Sequence, residues 1–136
     1  MRWKPLTIFN FLLVLISTSD VSAKDETSCT SSRTEIEIYE CFELELKKAD
    51  TELNSTYKKL INRYKENGEP SVSTVETQDV YLKKAQLAWI RQRDTTCDFE
   101  TYESIAGSGF GSIYTACLLK QTRKRVDYLN WYIRNP

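Results

Sequence analysis

The sequence predicts a small all-α domain, a disulfide-stapled bundle of three main helices. Three observations predict it. Apolar residues recur at three- and four-residue steps over long segments. Period-two alternation, the mark of a half-buried strand, lasts only a few residues, at 35–39. Four cysteines, an even number, follow an N-terminal stretch patterned as a secretion signal.

Residues 1–23 are expected to be a signal peptide. Arg2 and Lys4 form a short basic start, Leu6 to Ile16 a mostly apolar run, and Val21-Ser22-Ala23 a small-residue cleavage site. The run is too short to span a bilayer, which takes about 20 residues. Residues 24–136 would then form a single exported domain of 113 residues, with 17 basic and 18 acidic side chains. That balance offers no electrostatic basis for binding nucleic acid. No apolar stretch long enough to cross a membrane follows the cleavage site.

The first helix announces its start at Thr34-Glu35-Ile36-Glu37, a capping-box sequence. Glu35, Glu37 and Glu40 crowd its first turns, where the helix dipole is positive. Tyr39, Phe42, Leu46, Ala49, Leu53, Tyr57, Leu60 and Tyr64 trace one face. Asn67-Gly68-Glu69-Pro70 stops the helix near Glu66. A second helix is expected from Val75 or Glu76 to beyond Cys97, with Leu82, Ala85, Gln86, Trp89, Ile90, Arg93 and Cys97 facing inward. Gly107 to Ser112 is a glycine-rich loop, and Ser112 is placed to cap a third helix. That helix carries Ile113, Ala116, Leu119, Thr122, Val126, Leu129 and Ile133 on one side and ends near Asn135.

Cys29, Cys41, Cys97 and Cys117 read as two structural disulfides rather than a metal site. Their spacings of 12, 56 and 20 contain no Cys-x-x-Cys knuckle. Three pairings are open. Cys29–Cys41 with Cys97–Cys117 is favoured, because each bridge ties a loop to a nearby helix. Cys41–Cys97 is the main competitor.

Polar residues interrupt the apolar faces of the first two helices. Folding these as an antiparallel hairpin about residues 71 and 72 sets Asp50 opposite Arg93, Asn54 opposite Trp89 and Tyr57 opposite Gln86. Arg125 on the third helix is a second candidate partner for Asp50. A buried polar group left unpaired costs about 1–3 kcal/mol, so a line of such pairs would fix helix register. A catalytic role for Asp50 or Asp94 is the weaker reading, since an arginine partner is expected to lower the carboxylate pKa. On the structural reading, Asp94 points elsewhere and Asp50→Asn lowers thermal stability.

The chain has no histidine, which removes Ser-His-Asp and Cys-His systems. The glycine loop lacks the Gly-Lys-Ser/Thr of a phosphate cradle. Lys83-Lys84 and Arg123-Lys124-Arg125 read as solvated faces, and Asn54-Ser55-Thr56 sits mid-helix, a poor glycosylation acceptor. No catalytic residue, metal or cofactor is expected.

Five motifs occur in order: Cys29-x11-Cys41; Ala49-Asp50-x-x-Leu53-Asn54-x-x-Tyr57; Ala85-Gln86-x-Ala88-Trp89-Ile90-x-x-Arg93-Asp94-x-x-Cys97; the glycine-serine loop; and Cys117-x4-Thr122-x-x-Arg125-x3-Leu129. Together they resemble the lysozyme-inhibitor LprI-like family. The resemblance implies a helical bacterial domain, periplasmic or secreted, that is not an enzyme and whose protein partner is a lysozyme. On that reading the loop is the candidate contact, with Phe110 as apolar anchor and Ser108 and Ser112 as polar contacts. The acidic stretch Glu35, Glu37, Glu40, Glu43 and Glu45 would steer a basic enzyme. The alternative is an envelope module that binds another protein or a cell-wall component.

Overall fold

Three α-helices build the fold: α1 Glu35–Glu66, α2 Gln78–Glu100 and α3 Phe110–Arg134, with a 3-10 turn at Tyr102–Ser104 between the last two. The computed structural model describes residues 29–31, 34–68, 70, 72 and 75–135. The expected signal peptide lies outside the described residues. No strand occurs among the described residues, and none of their helices is long and apolar enough to cross a membrane.

Both halves of the capping box of α1 form. The Glu37 amide donates to Thr34 Oγ1 at 3.2 Å, and the Thr34 amide donates to Glu37 Oε2 at 3.0 Å. At the far end the Asn67 amide donates to the Arg63 carbonyl, and Gly68 turns into the left-handed region at φ 73°. Phe42, Ala49, Leu53, Thr56, Leu60 and Tyr64 form the buried stripe between these ends. Tyr39, expected on that stripe, is 41% exposed.

The main interface joins α1 to α3, not α1 to α2. The two helices run parallel, because their contacts climb together. Glu35 accepts from the Ser112 hydroxyl, Glu43 from Thr115 at 3.2 Å and Glu45 from Arg123 at 2.9 Å. Arg63 reaches the last turn of α3, donating to the Tyr132 carbonyl at 2.9 Å and the Ile133 carbonyl at 3.1 Å. Two apolar clusters lie along this seam. One holds Leu53, Leu60, Tyr64, Val126 and Leu129. The other holds Cys29, Phe42, Ala49 and Leu119.

Helix α2 runs back between them as an exposed strut. It buries only Gln86 and Cys97, and Ala85 and Ile90, expected inward, are exposed. The leading hairpin is therefore not the expected one, for a reason visible in composition. The buried stripes of α1 and α3 carry Phe42, Leu53, Leu60, Leu119, Val126 and Leu129 with only small hydroxyl residues between them, whereas the α2 stripe is broken by the amide of Gln86 and the charge of Arg93. Burial of apolar area decides which helices meet. α2 also starts at Gln78, later than expected, after Thr77, whose side chain makes no cap bond.

Cys29–Cys41 and Cys97–Cys117 are the disulfides, with Cα atoms 5.5 and 5.7 Å apart. The first ties the segment before α1 to that helix, and the second ties the end of α2 to α3.

The two arginine bonds at the end of α3 satisfy carbonyls that the helix itself leaves open. Arg63→Ala is expected to lower unfolding free energy by about 1–2 kcal/mol in urea titration. An unchanged midpoint would contradict this role.

Candidate functional site

Two regions hold the polar residues that the sequence singles out: a clasp at mid-bundle and the loop that opens α3.

Arg93 organises the clasp from α2. Its Nη1 lies 3.5 Å from Asp50 Oδ1 on α1 and donates to Thr122 Oγ1 on α3 at 3.3 Å. Its Nε donates to Asp94 Oδ1 at 2.9 Å. One guanidinium thus spans all three helices, which suits its planar array of donors. Asp94, expected to point elsewhere, turns back to share it. Thr122, fully buried, is a partner that sequence reasoning missed. Its signal was present, a hydroxyl set between Leu119 and Val126 on an apolar stripe.

One turn further along α3, Arg125 Nε donates to Gln86 Oε1 on α2 at 3.0 Å. The Arg125 guanidinium also lies 4.9 Å from the Tyr128 ring centre and 5.6 Å from that of Trp89, while Arg93 lies 5.3 Å from Trp89. Both arginines are within cation–π range of one indole. Arg125 therefore partners Gln86 and not Asp50, and Trp89 meets arginines. The expected Asn54–Trp89 and Tyr57–Gln86 pairs are absent among the described residues, and Asn54 is exposed. The cause is the swap of partners. Because α3 lies against α1, the inner polar edge of α2 meets α3.

The Asp50 carboxyl responds to more than the arginine beside it. Burial raises the Asp50 pKa above its ordinary 3.8; Arg93 lowers it and Asp94 raises it, with a net rise. Burial likewise pulls Arg125 below its ordinary value, against the opposing influence of Tyr128 and Tyr132. Arg125 Nη2 is buried without a hydrogen-bond partner among the described residues. Asp50 and Asp94 share one arginine. No group of three or more Cys, Asp or Glu side chains is placed to hold a metal among the described residues.

The loop is set by close packing against the first turns of α1. A Cβ at Gly111 would stand 3.2 Å from the Tyr39 ring, and one at Gly109 would stand 3.5 Å from the Glu35 carboxylate. Gly109, not Ser112, is the N-cap of α3. Ser112 is buried inside the first turn and donates to Glu35, so it is not available to a partner as expected. The Glu35 carboxylate takes the place of a cap, near the positive end of α3. Phe110 is half-buried with its ring centre 5.6 Å from that of Tyr114, and Ser108 is exposed.

Comparison with known proteins adds two findings. The family model described as lysozyme inhibitor LprI matches residues 26–129. An uncharacterized protein of Rhizobium meliloti (strain 1021) is 31% identical over 122 residues, covering 86% of this chain and 87% of that protein. No solved structure matches the chain.

The clasp yields two expectations. A carboxyl whose folded pKa stands above its unfolded value stabilises the fold while protonated, and that contribution is lost as pH rises through the folded value. Asp50→Asn stays neutral, so it should gain on the parent protein as pH rises from below to above the carboxyl's ordinary 3.8, by under about 1 kcal/mol for a half-exposed group. This reverses the direction expected from sequence, and melting temperatures of both proteins across that range check it. For the second pair, Gln86→Leu and Arg125→Met should each cost about 1–3 kcal/mol, and the double variant less than their sum. Additive losses in a double-mutant cycle would deny the coupling.

Proposed function

From the finding that this chain belongs to the lysozyme inhibitor LprI family, we propose that it is an exported, non-enzymatic protein that binds and inhibits a lysozyme. The observation that carries the reading is the family match, which spans residues 26–129 and so takes in α1, α2, most of α3 and both disulfides. Two bridges in so small a domain suit an oxidising compartment outside the cytoplasm. In this reading residues 1–23 are the signal peptide, residues 24–136 the single mature domain, and the protein works in the periplasm or after secretion.

The chemistry fits a blocking protein better than a catalyst. Inhibition by occupancy requires a rigid surface that fits the cleft mouth and excludes substrate, with no reacting group. The chain has no histidine, and its two clasp carboxylates are engaged with Arg93. The disulfides and the α1–α3 seam supply the rigidity. Of the loop residues expected to make contact, Ser108 remains exposed for it, Phe110 is partly open, and Ser112 belongs to the fold.

The test is direct. Mature protein with its disulfides intact, at micromolar concentration, should slow digestion of bacterial cell walls by at least one member of a lysozyme panel. The inhibition should saturate near one-to-one stoichiometry. Cell walls digested at an unaltered rate by every member would overturn the reading in favour of an envelope-binding module.

A further inference from the structure

Residues 98–105, Asp-Phe-Glu-Thr-Tyr-Glu-Ser-Ile, intersperse three acidic and three large apolar or aromatic side chains where α2 ends and the 3-10 turn begins. Phe99 is 82% exposed, Tyr102 71% and Ile105 55%. Large apolar groups so open to water are costly. Ordinary surface chain would hold them loosely, but this segment is tied down at successive points. Cys97 is bridged to Cys117. Thr101 is buried, and its hydroxyl donates to the Cys97 carbonyl at 2.8 Å. The Ser104 amide donates to the Thr101 carbonyl and the Gly107 amide to the Ser104 carbonyl, both at 2.9 Å. The result is a rigid knuckle with aromatic groups standing out from it.

Charge is segregated around it. No Lys or Arg occurs from 94 to 119, where Asp94, Asp98, Glu100 and Glu103 fall. None occurs from 34 to 46 either, where Glu35, Glu37, Glu40, Glu43 and Glu45 fall. The parallel arrangement of α1 and α3 brings both stretches to one end of the bundle. A groove of about 340 Å³ beside the knuckle is lined by Phe42, Glu100, Thr101, Ile113 and Ala116, with Lys120 on its wall. Lys58, Lys59, Arg63 and Lys65 of α1, Lys83 and Lys84 of α2, and Arg134 of α3 lie toward the opposite end. Glu66, Glu76, Asp79 and Asp127 also lie in that half, so the bundle has one end of a single, acidic sign and one of mixed charge with basic residues in excess.

We infer that the 98–105 knuckle is the docking surface for the protein partner, and that this partner presents an apolar recess rimmed by Lys or Arg. This rests on the lysozyme reading and assigns its contact surface. Projecting side chains fit a recess in something larger than a small ligand, which selects a macromolecule. The interleaved carboxylates select a cationic one and disfavour anionic lipid and anionic wall polymer. Aromatic groups carried on a backbone already tied down lose little main-chain freedom on binding, which suits an interface hot spot.

The probes are a high-pI lysozyme, a low-pI muramidase and anionic phosphatidylglycerol vesicles, each titrated with disulfide-intact mature protein at low and moderate salt. The high-pI enzyme should bind most tightly, and salt should weaken it. Phe99→Ala/Tyr102→Ala should raise Kd about tenfold or more with an unchanged melting temperature. Glu100→Lys/Glu103→Lys should weaken binding and flatten its salt dependence, whereas Lys83→Glu/Lys84→Glu should leave both unchanged. Tight lysozyme binding that neither knuckle variant alters would overturn the surface and leave the inhibitor reading standing. No binding of either enzyme by the parent protein would overturn both, and preference for the vesicles would overturn the assigned partner.

Discussion

Two long helices packed parallel are the constraint from which the rest of this structure follows. Side by side and pointing the same way, α1 and α3 align their dipoles unfavourably. The chain answers at both ends of α3 with charged groups from α1. Glu35 sits against its first turn and Arg63 against its last carbonyls. The seam between carries both apolar clusters, so burial and electrostatics hold the same pair together.

A parallel pair also dictates what joins it. The connection must travel the length of the bundle, and α2, at 23 residues and about 35 Å, does so. Helix α2 is less a core element than a return path, which explains why it buries so little. It is secured by chemistry other than apolar area: the Cys97–Cys117 bridge near one end, then Arg93 and Arg125 around Trp89. Arginine serves well here because one planar group can bond, pair and stack at once. The cost is visible in Nη2 of Arg125, buried without a hydrogen-bond partner among the described residues.

The same geometry gives the molecule its polarity. Acidic residues gather at the start of α1 and the end of α2, basic residues at the end of α1 and the start of α2. Parallel packing adds the acid-free, base-free and glycine-rich start of α3 to the acidic end. The glycines at 109 and 111 let α1 approach, and that approach holds the knuckle beside the acidic turns. The buried polar residues keep the fold, and the charge pattern lies on the surface.

Sequence alone determined what depends on local periodicity. The three helices, the limits of α1 set by Thr34 and Gly68, and the export-style cysteine content were legible because each is read within a few residues of chain. The motif order identified the family for the same reason. Which helices pair was a tertiary matter, since it turns on comparing the whole apolar area of each face, and an inner face read as a list does not weigh Gln86 and Arg93 against Leu119 and Leu129. From that one decision came the partners that sequence misassigned: Gln86 to Arg125, Trp89 to two arginines, Ser112 to Glu35. The rise in the Asp50 pKa was likewise hidden, because desolvation is a property of the packed neighbourhood and the arginine opposite is only one part of it.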